Sequence, residues 1–346
     1  MVDWLAGKRI KGTSSERTSL QDPVLGGTGV GGWVELGRSS GAVQLDVSSL
    51  PDKRYYMVLT HKPSGTVSGI GNYLNGDTSA NYSARYSNNG GADGTATSQT
   101  VFFAQNITFG NVNEFMVSYI ANYSSKEKLG IANLVGGNTA GAGNAPQRFE
   151  AVSKWANTSN AINRIQTQGT MTNANSEMVV LGYDPADTHT NNFWEELYSG
   201  SVSSASQIST GTITAKKYLW CQLYSDKTAA LSTQWRFNND TANNYSYRIS
   251  DNGGTDSAGT SIGWAVGDNG GAGNTFENVF IINNSANEKL VINHTVNQST
   301  AGAGTAPTRR ETVAKWANTS NQITEIDVNT STSTFANAYL RVWGAD

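Results

Sequence analysis

The sequence predicts an all-β protein made of two tandem antiparallel β-sandwiches of the jelly-roll kind, preceded by an extended N-terminal arm. Three observations lead to this fold class. The 346 residues are rich in Asn, Ser, Thr and Gly and only 15% are charged, whereas helical arrays need Ala, Leu, Glu, Lys and Arg. The apolar runs are short and alternate with a period of two. Finally, a segment of roughly 150 residues occurs twice.

The first element along the chain is the arm, residues 1–32, which has no second copy and ends in the Gly-rich segment 26–32. It carries an aromatic side chain and several cations on a flexible backbone. We therefore expect it to anchor the chain to a partner. The predicted anchoring residues are Trp4, Lys8, Arg9, Lys11 and Arg17.

The repeat defines the two domains. Residues 74–93 align with 237–256 with 12 identities in 20 positions, and residues 127–165 align with 288–326 with 24 identities in 39. This period is far longer than that of a solenoid unit, so each copy is expected to be a domain with its own core. The predicted boundaries are copy 1 at 33–184, a polar linker at 185–192 and copy 2 at 193–346.

Within each copy, short aromatic and β-branched runs predict strands, most clearly at 55–60 (YYMVLT) and 218–223 (YLWCQL). Asn-Gly and Asp-Asn-Gly-Gly sequences between the runs are typical of hairpin turns. Many short strands without helices between them favour an antiparallel sandwich, with an up-and-down barrel as the alternative. Further strands are predicted at 127–135, 148–155, 177–183, 276–282, 309–316 and 338–343, and we align 178–183 with 338–343.

A charged pattern on one strand, R-x-E-x-V-x-K, is present in both copies and is the strongest candidate for a site. Its charged side chains share one face of the strand, and the following Trp lies on the other face. We interpret the pattern as a ladder of ion pairs at a strand surface or subunit contact. The alternative is a glycan contact with each Trp as a stacking platform. The residues concerned are Arg148, Glu150, Lys154, Trp155, Arg309, Glu311, Lys315 and Trp316.

Other patterns argue weakly for catalysis or metal binding. Glycoside hydrolysis would need a carboxylate pair, such as Glu127 with Glu150 or Glu288 with Glu311, but each Glu has Lys or Arg close by. The Asp/Asn-rich turns at 88–93, 251–256 and 267–274 lack the EF-hand spacing and are explained by turn chemistry.

The remaining reactive residue types predict neither a zinc site nor a nucleophile. The three histidines, His61, His189 and His294, do not form a ligand motif. Cys221 stands where copy 1 has Val58 and is expected in the core. The Gly-rich segments 136–143 and 300–304 connect strands and lack the phosphate-binding signature. We therefore expect no cofactor and no metal.

Charge and hydropathy do not indicate nucleic acid or a membrane as a partner, although a local basic patch is compatible with the net charge. A net charge of −3 provides no general attraction for nucleic acid. No stretch approaches 18 apolar residues, so we expect no membrane span. The chain also begins without the apolar run of a secretory signal.

Several motifs together carry a resemblance. The block NYSxRxSxNGGxD, the segments TAGAGxAPxR and KWANTSNxI, and the junction LGYDPADTHTNNFWEEL resemble a group of tandem jelly-roll virion structural proteins encoded by tailed viruses of marine microbes. The resemblance covers both copies. It implies a capsid decoration, spike or fibre component and brings no catalytic residue with it.

The resemblance implies a non-enzymatic virion structural protein at the surface of the particle, either a capsid decoration or spike-like subunit or a short fibre subunit, and the composition and charge agree with this class. We expect it to bind other capsid or tail proteins and to form a homo-oligomer, with a trimer as one candidate. A tandem carbohydrate-binding, receptor-binding module is the alternative. A glycan-active β-sandwich enzyme is the third hypothesis.

Overall fold

The computed structural model describes residues 32–64, 70–103, 109–187, 192–227, 233–266, 273–298, 303–330 and 333–346. All regular elements among these residues are β-strands, as predicted. The arm, apart from Gly32, and His189 lie outside the described residues. No helix of the described ranges is long and apolar enough to cross a membrane.

The strands of copy 1 are β1 (Val34–Ser40), β2 (Gln44–Ser48), β3 (Tyr55–Lys62), β4 (Asn72–Leu74), β5 (Tyr82–Asn88), β6 (Gly94–Gln99), β7 (Glu114–Ala121), β8 (Lys128–Gly136), β9 (Gln147–Trp155), β10 (Arg164–Thr170) and β11 (Glu177–Tyr183). The strands of copy 2 are β12 (Glu195–Ala205), β13 (Gln207–Ser209), β14 (Tyr218–Lys227), β15 (Thr233–Phe237), β16 (Tyr245–Asp251), β17 (Ser257–Ser261), β18 (Trp264–Val266), β19 (Gly273–Ile282), β20 (Lys289–Asn297), β21 (Thr308–Trp316), β22 (Ile326–Thr330) and β23 (Phe335–Ala345). Every strand predicted from the sequence overlaps one of them.

Each copy is an antiparallel sandwich of one large and one small sheet. The large sheets have the strand orders β1-β11-β3-β7-β8-β9-β5-β6 and β12-β23-β14-β19-β20-β21-β16-β17. The small sheets have the orders β2-β10-β4 and β13-β22-β15-β18. The chain crosses repeatedly between the two sheets of a copy, which makes the topology jelly-roll-like. Because every sheet is open at two edges, the barrel alternative is wrong.

The alternation of side chains along the strands builds one core inside each sandwich. In copy 1, Tyr56 and Val58 point inward and join the core between the large and small sheets. In copy 2, Leu219 and Cys221 do the same. Cys221 is completely buried, in the core as predicted, and burial raises the pKa of its thiol.

The hairpin turns explain part of the Gly and Asn content. Asn89 and Gly90 have φ values of 49° and 69°, and their counterparts Asn252 and Gly253 have 51° and 74°. Both residue types tolerate this left-handed backbone, which a type I′ turn requires at its two central residues. The Asp/Asn-rich segments at 88–93 and 251–256 are therefore tight turns, as the sequence indicated.

Pairing in the large sheets shows which residues of the two copies correspond. Tyr55 lies opposite Tyr183, and Tyr218 lies opposite Ala345. Since Tyr55 and Tyr218 match in sequence, Tyr183 corresponds to Ala345. The predicted alignment of 178–183 with 338–343 is thus wrong by two residues. Hereafter, counterparts are residues at equal positions in the two sheets.

The outer faces of the two large sheets pack against each other and form a third apolar core between the copies. Copy 1 contributes Met57, Leu59, Phe115, Val117, Val135, Val179 and Leu181. Copy 2 contributes Trp194, Tyr218, Phe280, Ile282, Leu290, Ile292, Val313 and Ala345. These two sets are not counterparts of each other, so the copies meet through different halves of the same kind of face.

Candidate functional site

The contact between the copies joins two surfaces, the docking face of copy 1 and the receiving face of copy 2. The docking face is the half of the outer sheet that copy 1 uses, including Phe115 and Val135. The receiving face is the half that copy 2 uses, including Tyr218, Leu290 and Ile292. Every copy has both faces in principle, because the two copies share one fold.

A charged cluster fixes the edge of this contact. Arg148 of copy 1 is buried, with 4% of its side chain exposed, and its guanidinium lies 2.7 Å from Asp256 and 3.2 Å from Glu311 of copy 2. It also lies 2.5 Å from Glu150 of its own copy. Burial and the adjacent Glu150 carboxylate raise the pKa of Glu311. Arg148 therefore pairs with Glu150 along its own strand, and its other two ion pairs connect the two copies.

The loop that follows β8 docks onto copy 2 mainly through its backbone. Lys315 is fully buried and donates to the carbonyl oxygens of Gly137 and Thr139 at 2.9 and 2.7 Å. Glu288 lies 3.3 Å from Lys315 and accepts from the Gly141 N–H at 2.6 Å. Burial lowers the pKa of Lys315, although the Glu288 carboxylate opposes that shift.

The same loop is held along the edge of the second large sheet. Ser246 and Arg248 of β16 and Thr260 of β17 donate to backbone carbonyl oxygens of the loop. These acceptors are Asn144, Pro146 and Ala142. The Gly-rich loop is therefore a docking peptide whose small residues let its backbone approach copy 2 closely.

Polar contacts also hold the opposite edge of the interface. Glu177 of copy 1 accepts from the Tyr218 hydroxyl at 2.7 Å and lies 2.9 Å from the Lys217 ammonium. Burial would raise the pKa of Glu177, but the Lys217 and Tyr218 hydrogen bonds hold it below its ordinary value. Arg38 contacts both Glu177 and the backbone carbonyl of Asp346.

The receiving face of copy 1 is similar in composition, and no described residue covers its central part. Its Leu129, Ile131 and Val152 are exposed, whereas the counterparts Leu290, Ile292 and Val313 are buried. The open face forms a groove of about 710 Å³ with a predominantly apolar lining. Lining residues include Trp33, Tyr55, Tyr119, Leu129, Ile131 and Val152.

A second, more polar cleft of about 620 Å³ continues from this groove towards copy 2. Asp93 and Glu150 of copy 1 and His294 and Arg309 of copy 2 are among its lining residues. It carries both signs of charge beside an apolar wall. This arrangement suits a protein surface with matching charges better than it suits a single small ion.

Both predicted stacking platforms lie inside the sandwiches. Trp155 and Trp316 are buried, and their indole N–H groups donate to Asp77 at 2.8 Å and Asp240 at 2.7 Å. They point inward because they alternate with the charged residues along β9 and β21. The prediction that either Trp stacks on a glycan is therefore wrong.

The remaining predicted site residues differ between the copies. Lys154 lies 3.1 Å from Glu127 with 49% of its side chain exposed, whereas its counterpart Lys315 is buried. Arg309 is 61% exposed beside Glu311. The five predicted anchoring residues of the arm lie outside the described residues.

The weaker chemical hypotheses gain no support from the geometry. Glu127 pairs with Lys154 and Glu150 pairs with Arg148, so the two carboxylates of this candidate pair are held by different cations. Asp256 of the second Asp-rich turn is used by Arg148. No cluster of three or more His, Cys, Asp or Glu residues within the described ranges could hold a metal.

Sequence reasoning missed the docking loop and the receiving face. The signal for the loop is the shared TAGAG-x-AP segment, whose composition by itself indicates only a connection between strands. A signal for the face lies in Leu129 and Ile131, which alternate along β8. An apolar outer face cannot be distinguished from an inner one by periodicity alone.

Comparison with known proteins adds little. No family model and no curated protein match the chain. Among solved structures, domains LG4-5 of the mouse laminin alpha1 chain are similar with a TM-score of 0.19 and 10% sequence identity, over 91% of this chain and 90% of that one. The outer membrane protein OprG from Pseudomonas aeruginosa gives a TM-score of 0.09 and 10% identity, over 87% and 97%. Both scores are too low to carry an argument.

Proposed function

We propose that the chain is a non-enzymatic structural subunit of a virus particle, exposed at the particle surface as a decoration, spike-like or short fibre protein. The virion assignment rests on the sequence resemblance. The observation that carries the structural role is the open receiving face of copy 1. The equivalent face of copy 2 is buried in the contact with copy 1 of the same chain.

The chemistry of the open face favours a protein partner. Leu129, Ile131 and Val152 form an exposed apolar patch beside the aromatic rings of Tyr55 and Tyr119. Large contiguous apolar patches on soluble proteins typically mark interaction sites. A sugar needs convergent hydrogen-bonding groups, whereas this groove is mainly apolar. The face is therefore suited to assembly.

The arm is proposed to anchor the subunit to the particle. The Gly32 N–H donates to Asn192 at 2.7 Å, and the next residue, Trp33, lines the groove. The arm thus joins copy 1 beside the receiving face. Deletion of residues 1–31 is expected to lower incorporation into particles, with copy 1 and copy 2 still folded by circular dichroism.

The carbohydrate-binding alternative has lost the two residues on which it depended, because both Trp side chains are buried. It stays a prediction without a site. The enzyme hypothesis named two carboxylate pairs, and the members of each are held by different cations: Glu127 by Lys154 and Glu150 by Arg148, Glu288 by Lys315 and Glu311 by Arg309. We rank both below the structural role.

The test is quantitative mass spectrometry of gradient-purified particles of the virus that encodes the chain, before and after a high-salt wash. A structural subunit should be present in many copies per particle and should resist the wash. If the chain is absent from particles while it is abundant in infected cells, the proposal is wrong. A capsid protein of the same particle provides the internal control.

A further inference from the structure

We infer that the receiving face of copy 1 binds the docking face of copy 2 of a second identical chain. The geometry is the one in which, within one chain, the receiving face of copy 2 binds the docking face of copy 1. The inference rests on the proposed structural role and identifies its partner. Each chain then offers one open receiving face, on copy 1, and one open docking face, on copy 2.

The distribution of exposed apolar side chains supports this partner. Seven of the eleven large hydrophobic side chains exposed among the described residues are counterparts of residues that contact the other copy, and an eighth, Tyr224, is the counterpart of the buried His61 on the same face. Surface apolar residues are normally scattered. Four are on the receiving face of copy 1, namely Tyr55, Leu129, Ile131 and Val152. Four are on the docking face of copy 2, namely Tyr224, Phe276, Val296 and Tyr339.

One aromatic pair across the contact has counterparts that are both exposed. Within the chain, the Phe115 ring lies 6.2 Å from the Tyr218 ring across the contact. Their counterparts are Phe276 on the docking face of copy 2 and Tyr55 on the receiving face of copy 1. Both are exposed. The same ring contact can therefore form between two chains.

The charges of the open faces match in the same way. The intrachain contact pairs Arg148 with Asp256 at 2.7 Å. The counterparts are Arg309, with 61% of its side chain exposed, and Asp93, with 55% exposed. A second chain would bring Arg309 to Asp93, with Glu150 of copy 1 in the position that Glu311 has in copy 2.

The polar groups that hold the docking loop are also present on copy 1. Lys154, Ser83 and Arg85 are the counterparts of Lys315, Ser246 and Arg248, which donate to the loop carbonyls. In copy 2, Thr305 and Pro307 are the counterparts of the acceptors Asn144 and Pro146. Both sides of the loop contact are thus encoded in the open faces.

The contact between chains should be weaker than the contact within the chain. At three positions of the docking face copy 2 has Gln222, Asn278 and Arg341 where copy 1 has Leu59, Val117 and Val179. Polar side chains reduce the apolar area that the contact can bury. We expect association that is reversible and depends on concentration. Because the two faces differ, it produces rings or filaments, not a twofold dimer.

The test is a charge exchange between two full-length variants, Arg309→Asp and Asp93→Arg, measured by sedimentation velocity over a range of concentrations. The unmodified chain should form species larger than one chain as its concentration rises. Each variant alone should need at least a tenfold higher concentration, since it places like charges together. A one-to-one mixture should recover association, because the carboxylate introduced in one variant then faces the guanidinium introduced in the other.

Both substituted side chains are exposed, so the variants should fold, and circular dichroism checks this. Arg164→Asp is the matched control: it breaks an exposed ion pair with Asp46, 2.6 Å long, on the small sheet. It should leave association unchanged. The inference is wrong if the unmodified chain stays monomeric, if the variants associate normally, or if the mixture does not recover. In each case presence in particles would still support the structural role with another partner.

Discussion

Ile131 and Ile292 occupy equal positions in two copies of one fold, yet 54% of Ile131 is exposed and only 3% of Ile292. The difference does not come from the strand on which each lies. It arises because the outer face of copy 2 is covered by copy 1, whereas no described residue covers Ile131 and its neighbours Leu129 and Val152 on the equivalent face of copy 1. The same residue type at the same position of one fold can therefore be an interior residue in one copy and an exposed surface residue in the other.

The charged residues differ in the same manner. Arg148 is buried among three carboxylates, and Arg309 is exposed beside one. Burial of a guanidinium is tolerated only where carboxylates compensate its loss of hydration. The covered face thus depends on close charge pairing, while the open face can lose a charge at little cost. Four predictions test this contrast.

The largest effect is expected from removal of the buried guanidinium. Arg148→Ala leaves Asp256, whose side chain is 1% exposed, without its ion-pair partner. We expect a loss of about 3–5 kcal/mol in the free energy of unfolding. Arg309→Ala at the exposed counterpart should cost at most about 1 kcal/mol. Urea unfolding measures both, and equal losses would contradict the contrast.

Truncation of Ile292 and Ile131 to Ala should give two stability losses whose difference is slightly smaller than that between the two Arg variants. Ile292→Ala opens a cavity in the core between the copies and should destabilise the protein by about 2–5 kcal/mol. Ile131→Ala, on the open face, should change stability by no more than about 0.5 kcal/mol at low protein concentration. Thermal unfolding of the two variants side by side checks this. A marked loss for Ile131→Ala in the monomer would mean that its face is covered within the chain.

The third prediction concerns pH and the docking face. Burial lowers the pKa of His61 to about 4, although a hydrogen bond with Asn113 partly opposes the shift. The folded protein therefore binds fewer protons than the unfolded chain between these pKa values, and His61 lowers stability as the pH falls from about 6.5 towards 4. Through His61, the free energy of unfolding should fall by about 2 kcal/mol between about pH 7 and pH 5.

The control for this titration is His61→Gln, which has no titrating group. The variant should lose less stability than the parent between about pH 7 and pH 5, as measured by urea midpoints. In copy 2 the counterpart is Tyr224, so no matching contribution is expected there. Parallel pH profiles of the parent and the variant would refute the prediction.

The smallest difference in stability loss between counterpart variants is expected inside the sandwiches, where the two copies pack alike. Trp155→Phe and Trp316→Phe each remove an indole hydrogen bond, to Asp77 or Asp240, and keep most of the packing. Each should cost about 1–2 kcal/mol, and the two losses should agree within about 0.5 kcal/mol. Calorimetry of both variants measures them. Clearly unequal stability losses for the two Trp variants would show that the copies also differ in their inner cores.

Much of the fold could be predicted from the sequence. Alternation in runs such as 55–60 identified strands, and the Asn-Gly pairs identified turns, because both signals are local. The alignment of the last strand of each copy was wrong by two residues, because Met178 and Leu340 sit in segments with little identity. Their position is set by pairing with β3 and β14, which is a long-range contact.

The candidate site was predicted only in part. Arg148 and Glu150 form an ion pair along β9, since alternate residues share a face, but Lys154 and Lys315 pair with Glu127 and Glu288 outside their strands. The glycan role of the two Trp residues was wrong, because the face opposite the charges is the core. Residues 1–31 keep their predicted anchoring role as an untested expectation.

By itself, the sequence determined that the chain is all-β, that it contains two copies of one domain, and where most strands and turns lie. These properties follow from local backbone preferences and from identity between the copies. Only the tertiary structure decided that the outer faces meet and that Lys315 is buried while Lys154 is exposed. The physical reason is that burial depends on what covers a surface, and the local sequence of a strand does not specify which distant segment covers it.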